Sequence, residues 1–142
     1  MKLTKSQFKR WMTAKTRQYI AMIAKENPDF VRISFPKNFN QYDNYIRYSE
    51  GACSKNDNLI IYRTDYLEWW NANMEALENL VIHEVCHLVH DNHSNAFFEE
   101  YKKWSGDDFI ERYKNGDIDY IKNGSRYVCS VKNLPHLSLK EH

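Results

Sequence analysis

The sequence predicts an α+β fold: a small sheet packed on an N-terminal helix and on a second, central helix, followed by a C-terminal helix and a hairpin. Three observations carry this. Apolar residues recur at helical spacing at the start of the chain and again after Met74. Short runs rich in β-branched and aromatic residues cluster between Val31 and Tyr62. One of them, Leu59-Ile60-Ile61-Tyr62, is apolar throughout, as a central strand reads. A helix buries one stripe and a sheet one face, so the stable solution layers one on the other. The 142 residues can enclose a sizeable core. No repeat, low-complexity tract or linker divides them, so one domain over residues 1–142 is expected.

The elements follow in order. Residues 4–26 read as the first helix, with Phe8, Trp11, Met12, Tyr19, Met22 and Ile23 as its core stripe and Asn27-Pro28-Asp29 as its stop. Residues 31–35 alternate as a short strand that ends at Pro36. Residues 44–52 and 58–62 read as two more strands, joined through Ser54-Lys55-Asn56-Asp57. Residues 64–73, with Trp69-Trp70, form a loop or short helix. Met74 opens a segment of helix formers free of Gly and Pro, in which Leu77, Val81, Val85 and Leu88 make the buried stripe. Helices at 95–104 and 107–114 follow, then a hairpin over 119–131 turning at Asn123-Gly124.

The central helix carries His83-Glu84-Val85-Cys86-His87. Residues four apart share a helical face, so His83 and His87 can aim their imidazoles at one divalent ion. Glu84, one position on, can lie beside the ion and move a proton as general base and acid. This is the HExxH pattern of zinc peptidases. Four of the six histidines fall between positions 83 and 93. His90 shares the same face but lies about 10 Å along the axis from His83, too far for bonds of about 2 Å to a shared ion. A third ligand therefore needs the chain to turn back. Asp91-Asn92 favours such a stop, His93 comes next, and Ser94 reads as the N-cap of the following helix. His93 is the favoured third ligand, and Glu99 or Glu100 on that next helix competes with it, since His₂Glu is also a catalytic zinc set. His90 is assigned to the ligands' surroundings or to solvent. Cys86 lies off the ligand face and reads as a small buried apolar residue.

The run Val81-Ile82-His83-Glu84-Val85-Cys86-His87-Leu88, then Asn92-His93-Ser94 and Phe97-Phe98, resembles the SprT-like and YgjP/WLM-like zinc metallopeptidases. The resemblance is close over about residues 75–104. It implies a compact zincin-type core, with zinc (Zn2+) held by His83, His87 and His93 and Glu84 as the general base. It also implies a protein or peptide substrate, including proteins at DNA, on which some SprT-like relatives act. Many of those end in a zinc ribbon with paired cysteines, whereas here Cys129 stands without a nearby partner.

Composition bounds the partners. Net charge is +1, which carries no global nucleic-acid signature. Lys2, Lys5, Lys9, Arg10, Lys15, Arg17 and Lys25 nonetheless put seven positive charges into the first 25 residues. That face reads first as the solvated side of an amphipathic helix, and second as a contact for DNA phosphates. Cys53, Cys86 and Cys129 show no close pair and read as free thiols of a reducing compartment. With no signal-peptide core and no span-length apolar stretch, a cytoplasmic protein without membrane association is expected. Tyr48-Ser49-Glu50-Gly51-Ala52 is a candidate edge for a peptide strand, although Gly51 reads first as a bulge or turn residue. Tyr113, Tyr120, Arg126 and Tyr127 are candidate stabilisers of a developing oxyanion.

The function these observations favour is zinc-dependent peptide hydrolysis. Another metal-dependent hydrolase, acting on a phosphoester or nucleotide, lacks a Gly-rich phosphate loop in a chain with four glycines. A non-catalytic, zinc-stabilised DNA-binding module leaves a Glu directly after the first His without a role.

Overall fold

A computed structural model describes residues 2–42, 44–47, 49–117, 120–123 and 126–129. Helix α1 (Lys5–Tyr19) starts at a capping box: Thr4 Oγ1 accepts from the Gln7 amide, and the Gln7 side chain accepts from the Thr4 amide. The helix then widens into a π turn over Ile20–Ala24 and stops at Lys25, a left-handed residue with φ of 54°. The i→i+5 turn advances fewer degrees per residue than an α-turn. It brings Ile20 and Ile23 inward and leaves Met22, expected in the core, 40% exposed.

The sheet has three strands in the order β1-β3-β2: β1 (Arg32–Ser34), β2 (Gly51–Ser54) and β3 (Leu59–Tyr62). β3 is central, as its apolar run implies, and pairs parallel with β1 and antiparallel with β2. The expected strand at 44–52 is corrected. Asn44–Arg47 is a helical turn, α2, and the strand begins only at Gly51. The cause is tertiary. Arg63 is fully buried, and its guanidinium donates to the carbonyls of Arg47 (2.7 Å) and Ser49 (3.3 Å) while paired with Asp65 at 2.6 Å. Carbonyls at a helix end need such partners. Ser49 adds two bonds to the Ile46 carbonyl, from its amide and from its hydroxyl.

Helix α3 (Leu67–Ala72) seats Trp70 against Phe8, with ring centroids 4.9 Å apart and stacked. Helix α4 (Met74–Cys86) runs through the centre, in contact with α1, α3, β2 and helix α5 (Asn95–Ser105). Its expected stripe of Leu77, Val81, Val85 and Leu88 is buried, and so are Leu80, Ile82 and Cys86. A helix covered on nearly all sides can be apolar nearly all round. Each such side chain contributes about 1.5–3 kcal/mol on burial. Helix α6 (Phe109–Lys114) docks by stacking Phe109 on Phe98. Strands β4 (Tyr120–Asn123) and β5 (Arg126–Cys129) form an antiparallel hairpin with Asn123 opposite Arg126. The remaining positions of the expected 119–131 hairpin, Gly124 of its turn among them, lie outside the described residues.

Among the described residues no helix is long and apolar enough to cross a membrane. Cys53 and Cys86 are free thiols, and burial first, then Glu100 and Glu84, push the Cys86 thiol up to about 12. Of the basic residues near the N-terminus, Lys15 pairs with Glu78 at 3.6 Å and Arg17 with Asp29 at 3.7 Å, while Lys2, Lys5, Arg10 and Lys25 are exposed.

Candidate metal centre

Two helix ends build the site. α4 presents His83 in its last turn and His87 at its C-cap. The chain then reverses. The amides of Val89 and His90 both bond to the Cys86 carbonyl, closing the helix, and Asp91 and Asn92 lie exposed at the turn. Ser94 starts α5, its hydroxyl accepting from the Phe97 amide at 3.3 Å. His93 is fixed between these two ends, and the reversal carries its ring back over α4.

The three imidazoles converge. His93 Nε2 lies 3.1 Å from His83 Nε2 and 3.2 Å from His87 Nε2. All three rings are half-buried, and among the described residues they form the one cluster able to hold a metal ion. Nitrogens around a tetrahedral zinc with bonds of about 2.0–2.1 Å stand about 3.3 Å apart, so the observed spacing fits such an ion. Protonation fits as well. His87 Nδ1 lies 3.0 Å from the His90 carbonyl, which can only accept. The hydrogen therefore sits on Nδ1, and Nε2 offers its lone pair to the cluster. Burial, then the neighbouring His87 and His93, holds His83 well below its ordinary 6.5, and burial lowers His87 too. Neutral imidazoles are what a cation requires.

The competing third ligands are placed elsewhere. Glu100 accepts from Trp104 Nε1 at 2.9 Å and faces His90 Nε2 at 3.8 Å. Glu99 is exposed. His90 thus acts on the cluster through its backbone carbonyl, while its ring pairs with α5.

Glu84 is 4% exposed, and its carboxyl is pushed up to about 8, first by burial and then by Glu50. Gly51 adjoins it: a Cβ built there would stand 3.4 Å from Glu84 Cγ, and 3.1 Å from both the Ile61 carbonyl and the Tyr62 ring. Gly51 therefore serves close packing of β2 on α4, a signal readable in the sequence only as a glycine near a strand. The ladder gives this edge a further property. The Arg63 amide bonds to the Glu50 carbonyl, so residues 50, 52 and 54 are the ones bonded to β3. Gly51 and Cys53 turn their backbone groups away from β3, Gly51 buried there and Cys53 half-buried.

Of the candidate oxyanion stabilisers, Tyr113 is packed against the hydrophobic core. The side chains of Tyr120, Arg126 and Tyr127 lie outside the described residues. Tyr101, not among the sequence candidates, brings its ring to 5.9 Å from that of His83, and its hydroxyl donates to Asp107 at 3.0 Å.

A family profile described as YgjP-like, metallopeptidase domain, matches residues 2–114, from the start of the chain through α6. No curated protein and no solved structure matches. With the profile covering most of the 142 residues and the histidine cluster inside it, the chain belongs to the YgjP-like metallopeptidase family.

Proposed function

We propose that the protein is a zinc-dependent peptidase in which His83, His87 and His93 hold the ion and Glu84 is the general base. The observation that carries this is the convergence of three imidazole Nε2 atoms, at 3.1 and 3.2 Å, together with a buried carboxyl at Glu84, one residue along the helix from His83. Imidazole donors favour zinc over hard, oxygen-seeking cations. When bound, the ion supplies Lewis acidity, lowering the pKa of a water at its open position towards about 7 and polarising the scissile carbonyl.

The chain's own residues do the rest. Glu84 takes a proton from the attacking water as the new C–O bond forms, then delivers it to the amine as the C–N bond breaks. Its ionised form gains from a nearby cation, while burial keeps it basic. The His87 Nδ1–H bond to the His90 carbonyl holds that ring in its ligating orientation. An extended peptide adds along the edge of β2 that faces away from β3, bonding the backbone of the half-buried Cys53.

The test compares wild type with Glu84→Gln, both loaded with zinc, on a panel of peptides and phosphoesters. Gln is expected to keep the metal and lose at least about 100-fold in peptide hydrolysis. Full peptidase activity in Glu84→Gln would remove Glu84 as the base. Phosphate release without peptide cleavage would reassign the substrate class.

A further inference from the structure

Phe97 stands in the first turn of α5, fully buried, and meets every ring of the histidine cluster. Its ring stacks on His87, with centroids 4.5 Å apart and planes at 28°. It meets His83 at 4.9 Å and 72°, and His93 at 5.1 Å and 88°, both edge-to-face. By contrast Tyr101 reaches His83 at 5.9 Å and Phe98 reaches His93 at 5.8 Å. The Phe97 amide donates to Ser94, so the cap that starts α5 also fixes where the aromatic ring stands.

An imidazole rotates broadly about its second side-chain torsion, and a metal site needs three such rotations settled at once. His87 has the His90 carbonyl for this purpose. The constraint common to all three rings is the Phe97 wall. We infer that Phe97 is a positioning residue of the metal centre, its ring holding the three imidazoles so that their Nε2 atoms converge before an ion arrives. This rests on the reading above that the three histidines bind metal. Stacked and edge-to-face contacts have defined geometry, which a branched aliphatic of similar apolarity does not reproduce. The same ring keeps the inner side of the cluster dry.

Phe97→Leu is compared with Phe8→Leu, which trims an equally buried ring stacked on Trp70 and outside the site. Three quantities are measured: thermal unfolding of the metal-free proteins, zinc affinity by chelator competition, and the visible absorption of bound Co2+. Both variants are expected to lose stability. Only Phe97→Leu is expected to weaken zinc binding about tenfold or more and to alter the Co2+ bands. Phe97→Met, unbranched and better able to fill an irregular gap, gives the same comparison if Leu prevents folding. Wild-type affinity and spectrum in the Phe97 variants overturn this inference alone, as does an equal loss in Phe8→Leu. A wild type that takes up no metal overturns the proposed function and this inference with it.

Discussion

Burial pushes the Glu84 carboxyl from its ordinary 4.5 up to about 8, so the metal-free folded chain keeps a proton there that the unfolded chain has released. Stability from this group is fully present below about 4.5 and is lost as pH rises through about 8. His83 and His87 act in the opposite direction. Their folded forms resist protonation, so their contribution is present above 6.5 and is lost as pH falls. Subtracting the Glu84→Gln profile from wild type isolates the carboxyl. Denaturant titrations after chelation should show wild type losing ground to the variant as pH climbs through that window. A constant difference across it would mean Glu84 is not desolvated. The histidines give a second residue-level expectation. His93→Ala removes a converging nitrogen and should abolish stoichiometric zinc binding. His90→Ala keeps the backbone carbonyl that orients His87 and should leave zinc content at wild-type level by elemental analysis. The shared face of His83 and His87 was legible because it is local, fixed by helix geometry. His93 was legible only as far as a turn signal reaches, and it took the fold to place Glu100 against Trp104 and His90 instead.

Among the elements, β2 and the segment before it depend most on partners distant in sequence. A methyl group at Gly51 would press on the Ile61 carbonyl and the Tyr62 ring at 3.1 Å and on Glu84 Cγ at 3.4 Å. Backbone yields poorly, so Gly51→Ala should cost about 1–3 kcal/mol and also reduce turnover by moving Glu84. Denaturant unfolding together with kcat checks both, and unchanged values in each would show that β2 does not press on α4. Ahead of β2, Arg63 is satisfied by Asp65 and by the carbonyls of Arg47 and Ser49, beneath the rings of Tyr66 and Phe39 at 4.0 and 5.2 Å. Asp65→Ala leaves that cation buried without its counter-charge and should cost about 3–5 kcal/mol in equilibrium unfolding. In the sequence, residues 44–52 read as a strand. The helical turn at Asn44–Arg47 exists because a guanidinium 16 residues away takes the Arg47 carbonyl, and no local pattern contains that information.

At the scale of the whole molecule, the core runs from Phe8 and Trp70 through Leu77, Val81 and Val85 to Phe98 and Phe109, most of it away from the histidines. The fold should therefore stand without metal. Chelation is expected to leave the far-ultraviolet circular dichroism unchanged, whereas zinc at 100 times its Kd should raise the unfolding free energy by about 2.7 kcal/mol. Loss of helical signal on chelation would identify the site as structural. The α+β class, the central position of β3 and the helices around the motif were all readable, because helical and strand periods are written in consecutive residues.

What the sequence determined by itself was the helix that bears His83, Glu84 and His87, the cap at Ser94 and the sheet's apolar centre. Each depends on residues a few positions apart, where backbone geometry alone sets which side chains meet. Only the tertiary structure decided that His93 closes the cluster, that Phe97 lies against all three rings, and that Gly51 lets β2 approach Glu84. Those outcomes depend on how α4, α5 and β2 pack together, and packing is set by the shape and burial of the whole core.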